Sequence, residues 1–205
     1  MSSATSYHCF MSNALSFILL SGGRSKRFGA DKSQALLAGV TLLNHVLAGL
    51  PETAKIFLVG PTPLNPLRSI TSLREEPQFS GPVSAIATAL KYISSDLVGV
   101  IATDMPLAPP ILLSLVGQLK KNIDAIIPVD ENERIQPLCA IYRTAALRHA
   151  IAALGSPVNR SMQDLLKTLS FKTLTLQEIN SQLLQDVDTQ EDMKRVSDLY
   201  KLITE

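Results

Sequence analysis

Three glycines and four cations crowd the stretch from Gly22 to Lys32, directly after the apolar run ALSFILL. The cations are Arg24, Lys26, Arg27 and Lys32. Glycine has no Cβ and lets a backbone come close to a ligand, whereas Arg and Lys bring fixed positive charge to phosphate or carboxylate. Successive N–H groups of a Gly22-Gly23 turn can form an anion-binding concavity, with cations closing over a polyphosphate. Arg24, Lys26 and Arg27 could instead form a solvated face, and for Lys26 that is the better reading. Two familiar phosphate loops are excluded. Gly29-Ala30-Asp31-Lys32 does not fit Gly-x-x-x-x-Gly-Lys-Ser/Thr, and Gly-x-Gly-x-x-Gly fails because Gly22 and Gly23 are adjacent.

Asp104, after the apolar run LVGVIAT, is the acidic counterpart. As a helix N-cap it would satisfy orphan N–H groups, with Met105 and Pro106 opening the turn. As a ligand it would hold Mg²⁺, which on a polyphosphate takes only one or two carboxylates and fills its shell with water and phosphate. Asn159, Arg160 and Ser161 follow a Pro-containing loop and open a helix, which makes either an anion site or a plain cap. His8, His45 and His149 lack metal-ligand spacing. His45 and His149 fall in helical patterns and read as structural. Cys139, in the apolar run PLCAIY, reads as core packing.

These residues need a scaffold. ALSFILL, KIFLVG, LVGVIAT, AIIPV and PLCAIY read as buried strands rich in Val, Ile and Leu. Between them lie the amphipathic segments TLLNHVLAGL, VSAIATALKYI, PPILLSLVGQLKK and TAALRHAIAAL. A late helix is predicted from about Thr189, where Thr189 and Asp192 have capping-box spacing. Such alternation predicts a three-layer α/β fold, a mostly parallel sheet with helices on both faces. Ligands of open sheets bind beyond the carboxyl ends of the strands, where strand order reverses. The loops after FILL and after GVIAT both leave at that end.

The bulk numbers agree with this scale. A chain of 205 residues, 46% hydrophobic and 18% charged, suits one domain. The polar opening to residue 12 reads as a disordered leader, with Met11 as an alternative start, and residues 13–205 as a single domain. A formal net charge of +1 argues against a nucleic-acid partner, so any positive field is local. No apolar stretch approaches the roughly 20 residues that span a bilayer. Cys9 and Cys139 are too few for a disulfide framework or a zinc site. A cytoplasmic location with no membrane contact is expected.

LLSGGRSKRFGADK resembles the signature of the nucleotidyltransferases that attach a nucleotide to the molybdenum cofactor, roughly Leu-x-Gly-Gly-x-Ser-x-Arg-Met-Gly-x-Asp-Lys. Gly22, Gly23, Ser25, Arg27, Gly29, Asp31 and Lys32 match; Ser21 stands for the usual Ala and Phe28 for the usual Met. GPVSAI, from Gly81, resembles the Gly-Pro-Leu-Ala-Gly-Ile loop that faces the base, with Ser84 and Ala85 in place of Ala and Gly. TDMPL resembles the family's metal-binding Asp segment, RIQPLCAIY the element near the acceptor, and DVDTQEDM the segment near the C-terminus.

The resemblance implies a Rossmann-like fold of the nucleotide-diphospho-sugar transferase type. It implies a Mg²⁺-dependent transfer of GMP from GTP to the phosphate of a molybdopterin-type acceptor, with release of pyrophosphate. Leu20, Ser21, Gly22, Gly23, Arg24, Ser25, Gly29, Lys32, Gly81 and Pro82 would then bind nucleotide, with Lys32, Arg27 and Asp104 catalytic. Asp104 would hold the metal, with Asp186 or Asp188 as a second ligand between which the resemblance does not choose; for either of these two a plain loop position is the equal alternative. Gln136 and Pro137 would meet the acceptor, and Asn159, Arg160 and Ser161, from their place at a helix start rather than from the resemblance, are secondary candidates for its phosphate. Transient contact with cofactor-biosynthesis proteins or molybdoenzymes follows from the same resemblance. CTP or another triphosphate, with the same cofactor or a sugar or polyol phosphate, is the alternative. A silent nucleotide sensor is disfavoured, since Lys32 and Asp104 are both retained.

Overall fold

The computed structural model describes residues 14–22 and 35–204. Its first strand, β1 (Leu15–Leu20), is buried along its whole length. Side chains alternate across a strand, so Ile18 and Leu20 enter one apolar layer while Leu15, Phe17 and Leu19 enter the other. A strand apolar at nearly every position has to lie between two layers, which is where β1 lies.

After β1 come a short hairpin, β2 (Leu36–Leu37) and β3 (Val40–Thr41), then α1 (Leu42–Gly49) and β4 (Lys55–Val59). The chain continues through β5 (Thr71–Leu73), α2 (Pro82–Leu90), β6 (Leu97–Ala102) and α3 (Pro109–Leu115), which runs into a 3₁₀ turn, Val116–Gln118. β7 (Ala125–Val129), β8 (Cys139–Arg143), α4 (Thr144–Ala153), α5 (Met162–Leu166), β9 (Phe171–Thr175), α6 (Glu178–Gln182) and α7 (Gln190–Thr204) complete it.

Among the described residues, seven strands form one sheet in the order β5-β4-β1-β6-β8-β7-β9. Only β8 among them runs antiparallel to its neighbours. The connection from β7 to β8 is too short for the crossover that a parallel pair requires. α2, α4 and α5 pack on one face through residues such as Ile86, Leu147 and Leu165. α1 and α3 cover the other through Val46, Leu47, Ile111 and Leu112. The expected three-layer, mostly parallel architecture with helices on both faces is therefore the observed one.

The five apolar runs became β1, β4, β6, β7 and β8. The strands that periodicity did not indicate, β5 and β9, are the two edges of the sheet. Edge strands bury little, and TSL and FKTLT are mostly exposed, so neither carries the apolar signal. α7 begins where the capping spacing placed it. The Thr189 hydroxyl accepts from the Asp192 N–H at 3.1 Å, and the Asp192 carboxylate accepts from the Thr189 N–H at 2.7 Å. A third apolar cluster, Leu37, Leu42, Leu107, Val187, Val196 and Leu199, docks α7 against the hairpin and α1. His45 joins that dock: its ring bonds the Leu37 carbonyl at 2.7 Å and meets Tyr200 edge-on. Cys139 is fully buried. No helix among the described residues is long and apolar enough to cross a membrane.

Candidate active site

The order of the sheet creates the site. From central β1 the chain builds outward through β4 and β5, then returns to place β6 on the other side of β1. Leu20 is in register with Val59 of β4 and Ala102 of β6, so three strands end side by side. At such a reversal the outgoing loops diverge and leave a crevice. Here it is a cleft of about 940 Å³.

Its floor is held by backbone bonds between the strand ends. The Leu20 carbonyl accepts from the Thr103 N–H at 3.0 Å and from the Thr103 hydroxyl at 3.3 Å. On the other side, the Ser21 N–H donates to the Val59 carbonyl at 2.9 Å. Gly60 follows, at φ +145°, with its N–H on the Leu73 carbonyl. A Cβ on Gly60 would come within 1.7 Å of the Ser21 carbonyl oxygen, so glycine is needed there for backbones to pass this closely.

The acidic wall comes from two remote segments. Asp104 leaves β6 into the cleft, and its carbonyl accepts from the Val187 N–H at 2.9 Å. Val187 is fully buried, whereas its neighbours Asp186 and Asp188 are exposed and line the cleft. The Asp188 N–H donates to the Asp192 carboxylate at 3.1 Å, so the cap of α7 also fixes this segment. Burial pushes the Asp192 carboxyl up, but hydrogen bonds from Thr189, Arg195 and the Asp188 N–H outweigh it and hold the group below its ordinary value. Among the described residues, no three His, Cys, Asp or Glu side chains form a metal-binding cluster. Hard carboxylate oxygens in ones and twos suit Mg²⁺ on a polyphosphate, which brings most of its own ligands.

Gly81 and Pro82 form the N-terminal edge of α2 on the same cleft, Gly81 at φ +93° as N-cap and Pro82 in the first turn. Behind this edge, a buried Ser80 hydroxyl donates to the Ser84 hydroxyl at 2.8 Å. Gln136 reaches the cleft from the β7–β8 connection, with its side-chain amide held on the Asp130 carboxylate at 2.7 Å.

Residues 17–174, most of the chain, match the model of the MobA-like NTP transferase domain. The chain belongs to the MobA-like NTP transferase family. A relative from Bacillus cereus, named "Probable molybdenum cofactor guanylyltransferase", is 29% identical over 185 residues, which are 85% of this chain and 92% of the relative. One of the same name from Carboxydothermus hydrogenoformans is 24% identical over 92% of this chain and 98% of its own. Among solved structures, the molybdopterin-guanine dinucleotide biosynthesis protein A of Archaeoglobus fulgidus superposes with a TM-score of 0.67 at 19% identity, covering 91% of this chain and 99% of its own. The 2-C-methyl-D-erythritol 4-phosphate cytidylyltransferase of Thermus thermophilus gives 0.65 at 16% identity, over 92% and 99%. These two likenesses establish the nucleotide-diphospho-sugar transferase type of fold. As a member of the MobA-like family, the chain is a nucleotidyltransferase.

The cleft of this MobA-like domain collects many of the residues that the sequence singled out. Leu20, Ser21, Gly22, Gly81, Pro82, Asp104, Gln136, Asp186 and Asp188 all line it. Gly23, Arg24, Ser25, Arg27, Gly29, Asp31 and Lys32 lie outside the described residues, as do the leader and Met11. Pro137, Asn159, Arg160 and Ser161 are not on the cleft wall. The Pro137 carbonyl accepts from the buried Tyr142 hydroxyl at 2.7 Å. Ser161 is the N-cap of α5, in a capping box with Asp164, so the cap reading of that triplet describes its hydroxyl. Asn159 and Arg160 instead back the Gly81 edge of the cleft: the Asn159 N–H donates to the Ser80 carbonyl at 2.7 Å, and a Cβ on Gly81 would sit 3.5 Å from the Arg160 carbonyl oxygen.

Beyond the residues singled out from sequence, the cleft takes in Thr103, the loop Pro61–Leu67, Glu75 with Phe79, and the β2–β3 hairpin with the start of α1, among them Leu36, Val40, Thr41 and Asn44. The loop carried a signal, since it leaves the carboxyl end of a strand that pairs with β1. Thr103 had only its place beside Asp104. Glu75 accepts the Phe79 N–H at 2.9 Å, a local turn that apolar periodicity cannot reveal.

Proposed function

We propose that this chain transfers GMP from GTP to the phosphate of a molybdopterin-type acceptor, releasing pyrophosphate. The observation that carries the reading is the single cleft in which Ser21 and Gly22, the Gly81–Pro82 edge and Asp104 meet. The names of the relatives supply the base and the acceptor.

The acceptor's phosphate oxygen is already anionic, so the reaction asks for positioning and charge neutralisation more than for a strong base. Main-chain N–H groups from Gly22 onward would receive the triphosphate. Arg27 and Lys32 balance the charge that accumulates on the departing pyrophosphate, with Arg24 and Ser25 completing the loop. Asp104, with Asp186 or Asp188, would hold Mg²⁺, which when bound neutralises phosphate charge and polarises the α-phosphorus. Gly81 and Pro82 offer main-chain groups to the base. Gln136, oriented by Asp130, is the group we assign to the acceptor, with Pro137, Asn159, Arg160 and Ser161 acting from behind the wall.

A second reading keeps the chemistry and changes the base. Ala85 lines the cleft beside Gly81 and Pro82, and its Cβ limits how closely a base can approach. A pyrimidine triphosphate such as CTP, with molybdopterin or a sugar or polyol phosphate, fits a narrower slot. Incubating the protein with Mg²⁺, molybdopterin and each of GTP, CTP, UTP and ATP, and measuring pyrophosphate, separates the two. Turnover confined to GTP supports the first. Turnover confined to CTP, or to none of the four, overturns it.

A further inference from the structure

We infer that Asn44 is a positioning residue for nucleotide binding, because it clamps one wall of the cleft in place. The inference rests on the nucleotidyltransferase reading of the cleft and assigns a role to a residue that takes no part in the proposed chemistry.

The wall is the loop PTPLNPL, Pro61 to Leu67, whose residues Pro61, Thr62, Pro63, Leu64, Asn65 and Leu67 line the cleft. Three of its seven residues are proline and have no N–H to give. Such a segment cannot join a backbone ladder, so its remaining polar groups need partners from elsewhere. Asn44 supplies them at both ends of its amide. Its oxygen accepts from the Leu67 N–H at 2.9 Å, and its nitrogen donates to the Asn65 carbonyl at 3.1 Å. The two bonds together imitate one rung of a strand pair.

The clamp is itself anchored. Thr41 caps α1, its hydroxyl accepting the Asn44 N–H at 3.3 Å, so the Asn44 backbone sits in the first turn of a helix packed on the core. Arg68, which follows the loop, fastens the segment to the far end of α1 by donating to the carbonyls of Pro51 and Leu50 at 2.6 and 3.2 Å. Arg68 is not on the cleft wall. Thus the α1 region holds the loop twice, and only the Asn44 attachment lies at the cleft.

What the clamp presents is apolar. Leu64 is 79% exposed and Leu67 60% exposed, and both line the cleft together with Phe79, which is 52% exposed. Large apolar side chains left in water beside a polar floor suit the flat faces of a heteroaromatic ring, which gains from being covered. Without Asn44, Leu64 and Leu67 lose a fixed position, and the ligand must order them on binding.

The chemistry of the clamp defines the test. Asn44→Leu keeps the volume and removes both bonds. Asn44→Asp keeps the acceptor for Leu67 and sets a carboxylate against the Asn65 carbonyl. Equilibrium titration with fluorescent analogues of GTP and CTP, which needs no turnover, reads binding directly. Steady-state pyrophosphate release reads KM and kcat separately. We expect both variants to weaken binding of whichever triphosphate the wild type prefers by about tenfold, with kcat within about twofold. Amide exchange at Leu67 should accelerate in Asn44→Leu, which removes its acceptor, and stay slow in Asn44→Asp, which keeps it. Gly155→Ala, remote from the cleft, should lower the melting temperature and leave affinity unchanged, which separates positioning from stability. Unchanged affinity in Asn44→Leu, or a loss confined to kcat, overturns the inference. If the wild type binds a triphosphate yet transfers nothing to molybdopterin, the proposed reaction fails while the affinity comparison still decides the role of Asn44.

Discussion

Val187 donates its main-chain N–H to the carbonyl oxygen of Asp104 at 2.9 Å. That bond joins the end of β6 to the segment leading into α7, and it sets Asp104, Asp186 and Asp188 on one cleft. The contact needs no particular side chain at either residue beyond an apolar one at position 187, which is buried in the cluster beneath α7. Two remote pieces of chain thus furnish one acidic wall.

Asp104→Asn should lower kcat/KM by about a hundredfold or more, about 2.7 kcal/mol of transition-state stabilisation, with the circular dichroism spectrum unchanged. Asp186→Asn and Asp188→Asn should divide: the one that supplies a second oxygen raises the Mg²⁺ concentration needed for half-maximal rate, and the other does not. Magnesium titrations of pyrophosphate release check all three. An Asp104 variant with near-normal release would exclude the carboxylate from the reaction.

On the proposed reading, in which the Lys32 ammonium balances charge that grows toward the transition state, Lys32→Ala should lower turnover by about the same hundredfold. Lys26→Ala, in the same loop but read as solvated, should stay within about threefold. Measuring both at saturating GTP makes the comparison independent of binding.

Gly60→Ala should destabilise the fold by about 2 kcal/mol or more, since it joins a positive φ to a backbone collision. Gly155→Ala is the control. Gly155 also has a positive φ, +71°, but nothing lies within 4 Å of its added Cβ, so about 1 kcal/mol is expected there. Urea unfolding of the two variants reads the difference, which is the cost of crowding the Ser21 carbonyl.

Burial pushes the Cys139 thiol up to about 12 from an ordinary value of 9.0. The unfolded chain therefore gives up this proton near pH 9 while the folded chain keeps it, and stability falls as pH rises above that point. The slope is about 1.4 kcal/mol per pH unit from this group. Tyr142, also raised by burial, adds to the loss at higher pH. Between about pH 9 and 10, Cys139→Ala should show a flatter fall than the wild type in urea midpoints. Parallel curves would mean that the thiol does not contribute.

Much of the fold could be read from the chain because its central strands are buried on both faces. ALSFILL or LVGVIAT can satisfy so many apolar side chains only between two layers. β5 and β9 escaped notice for the opposite reason, being edges whose side chains meet water. The candidate site was legible where backbone chemistry demanded a residue type, as at Gly81 and Pro82, or where an acid followed an apolar strand, as at Asp104. Ser161 shows the limit of such reading, because a residue suited to anions was equally suited to the cap that it forms with Asp164.

The sequence alone determined the layered α/β class, the end of the sheet where ligands meet, and the resemblance that placed the chain among the nucleotidyltransferases. Hydrophobic periodicity and local turn chemistry are properties of neighbouring residues, so they survive in one dimension. Tertiary structure alone decided that Val187 would carry two aspartates to Asp104, that Gly60 would let β4 pass Ser21, and that Asn44 would hold Leu67. Those contacts join residues far apart along the chain, and each has on at least one side a main-chain group that every residue possesses, so a pattern of side-chain types cannot announce where they form.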